Sequence, residues 1–494
     1  MVFIFLLSGL FLGWSFGAKD TANIFGVAVE TKMISFKKAA LIAAIFVTLG
    51  AVLDGSGPSG TLSKLGAVNE IGGAFTVALA AAATITLMVR IGIPVATSQT
   101  LAGAIIGWNY FAGKLTDFAS LATIAASWLI APVLGAIFAA LLFFVFRAYL
   151  NKVKMHLLEQ DVWTRLGLLV IGAFGAYSLG ANNIANIVGV FVPVNPFRDL
   201  QIPGLGYLSG VTQLFLIGSL SIVVGIYTYS QKVMKTVGKE LFSLSPITGL
   251  IAVLAESLVL FLFSSIALHN LLIKLGLPPI PLVPVSASQI IVGSVLGIGL
   301  AKGGKNIRYN LLGRISMGWV AAPIIAFFFS FVALFIVQNV FEQSVHQTTK
   351  YIFNRNTITE IERQGFDTKF LSTVNGRSFD SERSLYQEII KQGHYSRPEL
   401  LAIIHITEVY PLTVKTQLLL DKGLKKDFSL QQWQALEKLE GREFLHKWEL
   451  REALSANPAW QAKTLGLSEA DISYNRHLES RLDLLFRSFY HTPK

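Results

Sequence analysis

Long apolar runs separated by short polar or basic stretches fill the first two thirds of this 494-residue chain. The runs at 1–17, 38–54, 71–93, 118–146, 162–180, 204–229, 245–275 and 315–338 predict membrane-spanning helices. Most reach the roughly 17–25 residues that a helix needs to cross the hydrocarbon. Residues 94–112 and 278–300 are apolar too, but they open with Pro and carry Gly, which predicts re-entrant hairpins buried in protein. Beyond about Val340 the pattern changes. Charged and apolar positions alternate at helical spacing, as in SRPELLAIIHI and SRLDLLFRSFY, and no run is long enough to span. The expected organisation is a first transmembrane repeat at 1–146, a linker at 147–161, a second repeat at 162–340 and a soluble, mostly helical domain at 341–494 with N-caps at Ser396 and Ser468.

Polar residues interrupt the apolar pattern in corresponding places of the two halves. Residues 17–23 read GAKDTAN and residues 180–186 read GANNIAN; PVATSQTLAGAIIG at 94–107 is matched by PVSASQIIVGSVLG at 284–297. Two different motifs that recur in the same order predict a polar site at a repeat interface, built by broken helices near mid-membrane. The first motif recurs at an offset of 163 (Asn23 to Asn186) and the second at 190 (Pro94 to Pro284), a surplus of 27 residues in the second half. The apolar run 204–229 would supply that surplus as one extra span. The two hairpins would then enter from opposite faces, as in inverted repeats that alternate access. The fold class expected is therefore an all-α membrane protein with inverted repeats, plus a C-terminal helical domain.

Composition agrees with the membrane reading. The chain is 53% hydrophobic and 14% charged, with mean hydropathy +0.56, against about 25% charged for soluble domains. Its net charge of +11 does not point to nucleic acid, because the basic residues cluster at apolar borders. Lys32, Lys37 and Lys38, then Arg147, Lys152 and Lys154, then Lys232, Lys235 and Lys239, then Lys302, Lys305, Arg308 and Arg314 read as anchors on the cytoplasmic side. No basic residue precedes the first apolar run, and a motif follows it, so 1–17 reads as a span and not as a signal peptide. The absence of cysteine excludes disulfides and thiolate metal sites. His346, His394, His405, His446, His477 and His491 show no i,i+3 or i,i+4 pairing and no HExxH, so they read as surface and boundary residues with no metal. GLAKGGKN at 299–306 lacks the P-loop spacing, and no nucleophile–base motif is present, so no enzyme is expected.

The doubled motifs resemble the inorganic phosphate transporter (PiT) family of anion permeases, which includes sulfate permeases. The resemblance covers about residues 8–335 and leaves 341–494 unmatched. In that family each half carries Gly-Ala-Asn-Asp-x-Ala-Asn, and Pro-Val-Ser-Thr-Thr-His or Ser-Thr-Ser-Gln. By matching position the resemblance implies substrate contacts from Asp20, Asn23, Asn183 and Asn186 and from Thr97, Ser98, Ser286 and Ser288. Three positions depart from the pattern or qualify it. Lys19 stands where Asn is usual and Asn183 where Asp is usual. A Glu often found in the next helix is kept as Glu256 in the second half but is Val47 in the first. Each departure makes the site one unit more positive, so Lys19, Asp20 and Glu256 are expected to set its charge balance, the Lys19 ammonium standing in for a bound cation. The implied function is a permease for a tetrahedral oxyanion, phosphate first and sulfate as the alternative, since an amide at 183 donates to a proton-free dianion where a carboxylate would repel it. A proton carried by Asp20 is expected as the coupling ion ahead of sodium, with no cofactor. The expected partners are the oxyanion and the lipid bilayer of a plasma (inner) membrane, with a homo-oligomer left open and the C-terminal domain in the cytoplasm. An anion-sensing receptor that signals through that domain is the reading from a different class.

Overall fold

The computed structural model describes every residue except 1, 92–94, 154–155, 203–205, 235–244, 305–308, 370, 393–394, 422, 464–468 and 492–494. Pro94, Lys154, Lys235, Lys239, Lys305, Arg308, His394 and Ser468 therefore lie outside the described residues. The chain divides into two compact units, Met1–Gln347 and Thr348–Lys494.

The first unit is a helical bundle of α1 (Val2–Lys19), α2 (Thr21–Glu30), α3 (Phe36–Leu53), α4 (Ser56–Leu65), α5 (Ile71–Arg90), α6 (Thr97–Phe111), α7 (Phe118–Lys152), α8 (Leu157–Val188), α9 (Gly210–Gly225), α10 (Pro246–Ser264), α11 (Ile266–Lys274), α12 (Ala287–Ala301) and α13 (Tyr309–Asn339). Among the described residues eight helical stretches are long and apolar enough to cross a membrane, with α1 and α2 together making one of them (Phe3–Glu30). Their boundaries follow local chemistry. Ser245 caps α10, whose first residue is Pro246, and Asp117 caps α7. The same cap logic splits the apolar run 245–275: Ser265 accepts from the Leu268 N–H and starts α11, so that run is not one span.

Packing between the halves is reciprocal. Helix α3 packs on α8 as α9 packs on α1, and α6 packs on α13 as α12 packs on α7. Small residues make these crossings close. A Cβ at Gly103 of α6 would sit 2.1 Å from the Pro323 carbonyl oxygen, and one at Gly293 of α12 would sit 2.1 Å from that of Pro132. Only glycine permits such an approach at the two equivalent seats.

Contacts define the two ends of the bundle. At one end α1, α5 and the close of α6 and α13 meet: the Phe5 and Phe75 rings lie 5.9 Å apart, and Trp108 Nε1 donates to the Val345 carbonyl at 2.9 Å. At the other end Arg165 of α8 donates to the Met33 carbonyl at 2.8 Å, and Lys302 lies 5.7 Å from the Phe143 ring. The described basic clusters border this second end: Lys32, Lys37 and Lys38 flank the α2–α3 turn, Arg147 and Lys152 close α7, and Lys302 follows α12.

Several expectations are corrected. The segments 94–112 and 278–300 are not hairpins in themselves. Each is one continuous 15-residue helix, α6 or α12, preceded by extended backbone such as Ala96 and Ser286. Its return partner is a long helix, α5 or α10. The motif helices are not broken either. GANNIAN lies inside continuous α8, and GAKDTAN shows only a turn at Asp20, whose φ and ψ stay helical. Backbone amides in a membrane lack water as a partner, so the helix is kept and the Asn side chains bond sideways. The surplus of 27 residues is not an extra span, because α3 and α9 are counterparts by packing. It falls in the connection 189–209 and in α11 with the segment after it. Most of 147–161 is helical, and 341–347 belongs to the first unit, where Val345 is buried.

Two similar short hairpins recur in the second unit. Strands β1 (Tyr351–Ile352) and β2 (Ser378–Phe379) pair antiparallel, as do β3 (Leu412–Thr413) and β4 (Glu443–Phe444). In the first pair Phe353 N donates to Arg377 O and Gly376 N to Phe353 O; in the second Val414 N donates to Arg442 O and Gly441 N to Val414 O. Both turns need the left-handed backbone of Gly376 (φ 78°) and Gly441 (φ 76°). Gly-Arg-x-Phe is the sequence mark of each turn. Helices pack around both, and Ser396 starts one of them in a capping box with Glu399. His446 is not at the surface: it is fully buried, stacked on Trp448, with Nδ1 2.7 Å from the Glu408 carbonyl oxygen.

Candidate functional site

The two motifs meet in the middle of the first unit. Asp20 is only 4% exposed and Asn183 only 2%. Asn183 Nδ2 donates to Asp20 Oδ2 at 3.1 Å. These are the same position of GAKDTAN and GANNIAN, so equivalent residues of the two halves touch. The surrounding helices cross over in the same way: α2 packs beside α12, and α6 beside α8.

Lys19 does not reach out to the membrane surface. Its Nζ donates to the Val95 carbonyl at 3.3 Å, on the extended entrance to α6. Lys19, Asp20 and Thr97 line one small cavity together with Ser15, Phe16 and Ile85. An ammonium, a carboxylate and a hydroxyl thus face one space. Glu256 is fully buried on α10 and lies within electrostatic reach of Asp20.

Many polar atoms nearby in sequence are buried without a protein partner. Among the described residues they include Thr21 Oγ1, Asn23 Nδ2, Ser98 Oγ, Gln99 Oε1, Asn186 Oδ1, and both side-chain oxygens of Glu256. Leaving such a polar group unsatisfied costs about 1–3 kcal/mol each. Ser286 is partly committed: its Oγ accepts from Gln289 N at 3.3 Å as the N-cap of α12, which leaves its proton free to donate. Ser288 is half-buried in the first turn of α12, as Thr97 is in α6. Both helices begin inside the bundle, and the free N–H groups and dipole of a helix start favour an anion. A larger open groove lined by Thr123, Ile130, Leu134, Phe263 and Ile280 is apolar and shares no residue with this site.

Asp20 and Asn183 are brought into contact, Lys19 and Thr97 join Asp20, and Ser98, Asn23 and Asn186 contribute unpartnered atoms. Sequence reasoning did not single out Asn182, Thr21, Gln99 or Gln289. The last two close the paired PVATSQ and PVSASQ, so the repeat itself was the signal for them.

A membrane bundle whose two halves close on one buried polar centre, with two helix starts opening inside it, defines a transporter of a small anion. The profile of the Phosphate transporter family matches residues 16–330 and 280–406, and the chain belongs to that family. Its members are permeases and not enzymes. Relatives named "Putative phosphate permease" include those of Methanocaldococcus jannaschii (26% identity, 66% of this chain and 95% of the relative) and Haemophilus influenzae (24%, covering 69% and 97%). A solved structure titled "The sodium-dependent phosphate transporter" shares the fold at TM-score 0.53 and 20% identity, over 68% of this chain and 98% of that one.

Proposed function

We propose that this protein is a phosphate permease that works by alternating access, its two halves acting as inverted repeats around the Asp20–Asn183 contact. That contact carries the reading, because it joins equivalent residues of the two halves at 3.1 Å. The reciprocal packing of α3 on α8 and α9 on α1 supports the repeat, as does the opening of the α5–α6 and α10–α12 pairs toward opposite ends. Thr97, Ser98, Ser286, Ser288, Asn23 and Asn186 supply donors that replace the water a phosphate sheds. Lys19 balances its charge, and Asp20 carries the coupling proton. The test is uptake of labelled phosphate and labelled sulfate into proteoliposomes, with and without sodium and a pH gradient. Phosphate uptake driven by the proton gradient is expected. Sulfate uptake without phosphate uptake replaces the substrate, and binding without flux favours a sensor.

The hydroxyls in the first turns of α6 and α12 carry a further expectation. Losing a hydrogen bond to a charged group costs about 1.5–3 kcal/mol, roughly 10- to 150-fold in affinity. Ser98→Ala and Ser288→Ala should each weaken phosphate binding on that scale, measured by equilibrium binding in detergent. A change under about twofold for both removes these hydroxyls from the anion's ligands.

Orientation follows from charge. The end bearing Lys32, Lys37, Lys38, Arg147, Lys152 and Lys302 faces the cytoplasm by the positive-inside rule. The last span runs to the opposite end, where Trp108 meets Val345, so the chain enters its second unit on the outer face, against the expectation from sequence. The chain has no cysteine, so single exposed cysteines report the side directly. In intact cells an impermeant maleimide should label Asn375→Cys and spare Lys38→Cys. The reverse pattern returns the second unit to the cytoplasm.

A further inference from the structure

Asn182 makes three hydrogen bonds. Its Oδ1 accepts from Val285 N at 2.8 Å, its Nδ2 donates to the Val285 carbonyl at 2.8 Å, and the same Nδ2 donates to Asn183 Oδ1 at 3.0 Å. An amide side chain can be turned over where each of its partners can either donate or accept. This one cannot, because a backbone N–H and a backbone C=O fix which end is oxygen and which is nitrogen. With Nδ2 placed, its second hydrogen requires an oxygen from Asn183. The Asn183 amide is therefore fixed too, with its Nδ2 toward Asp20. Donor direction thus passes from the backbone of Val285 through Asn182 and Asn183 to the Asp20 carboxylate.

The first half has a counterpart of different chemistry. Lys19 stands at the Asn182 position of its motif, and Val95 at the position of Val285. Lys19 Nζ donates to the Val95 carbonyl, as Asn182 does to that of Val285, but an ammonium has no acceptor for the N–H. The second half therefore holds its extended entrance at two points and the first half at one.

We infer that Asn182 is a positioning residue of the transport site, acting through Asn183 to keep a donor on Asp20 and tying that donor to the extended segment before α12. It touches no substrate. When the α12 entrance shifts, the Asn183 amide is released, so the state of the second half is read at the carboxylate of the first. This rests on the phosphate-permease reading.

The test is a double-mutant cycle on phosphate binding and uptake by the full-length protein, with thermal unfolding as the control for folding. Asn182→Ala should lower affinity about tenfold or more, on the scale of a lost bond to a charged group. Asn182→Asp, the same size, keeps an acceptor for Val285 N but loses both donations, and should fall as far. In an Asn183→Ala background either change at 182 should cost less than about twofold more, because the path through Asn183 is already cut. Additive losses overturn the proposal. So do parental affinity in both 182 variants, and failure of every 182 variant to fold where Asn183→Ala folds, which assigns Asn182 to holding the bundle together. A parent protein that takes up no phosphate fails the functional reading instead, before any variant is compared.

Discussion

Replacing Asp20 by Asn should abolish substrate accumulation while the protein stays folded. Asp20 is the only acidic residue in either motif, and it is buried at the junction of α1 and α2. Its Oδ2 already accepts the Asn183 amide, and Lys19 adjoins it in sequence and in the cavity. Asn has the same shape, so packing and one hydrogen bond to Asn183 survive; what is lost is the charge and the exchangeable proton. Ionisable groups at membrane depth are kept for function, since their insertion is costly. A carrier without its proton-accepting group can still exchange substrate but cannot concentrate it. The measurement is uphill uptake into proteoliposomes under an imposed pH gradient, beside counterflow and a thermal melt. A variant that accumulates phosphate like its parent would show that the site is elsewhere.

Lys19→Asn should produce the second large effect. If the ammonium occupies the role of a bound cation, transport by the parent is indifferent to sodium. Removing it leaves the anion short of one positive charge. Two unit charges 4 Å apart interact by about 4 kcal/mol at an effective dielectric near 20, against about 1 in water. Lys19 is only half-buried, so the realised loss is smaller, and affinity should fall about 10- to 100-fold. Added sodium should recover part of it, most in the combination with Asn183→Asp, which puts two carboxylates face to face where Asn183 now donates to Asp20. A sodium titration of phosphate binding to the parent and both variants is the check. Strong sodium dependence in the parent, with Lys19→Asn unchanged, removes Lys19 from the site and leaves it as the tether of Val95.

What could be read without coordinates was whatever depends on residue type and order. Apolar runs report membrane spans because length and hydropathy alone decide insertion. The doubled GAKDTAN and GANNIAN, with PVATSQ and PVSASQ, singled out Asp20, Asn183, Thr97 and Ser98 as candidates, because polar residues at membrane depth are costly. Tertiary structure decided the rest. The Asn residues of the second motif look like a break, yet α8 runs through them, since a helix without water keeps its own backbone bonds. The interruption lies instead in the extended backbone just ahead of α6 and α12, where Lys19 bonds the Val95 carbonyl and Asn182 bonds both backbone groups of Val285 from other helices. The end at which the last span emerges depends on how α6 and α13 lie side by side. Sequence determined that Asp20 and Asn183 were polar and matched. Only the fold, by packing helices 163 residues apart against one another, made one donate to the other, because a hydrogen bond depends on separation in space and not on separation along the chain.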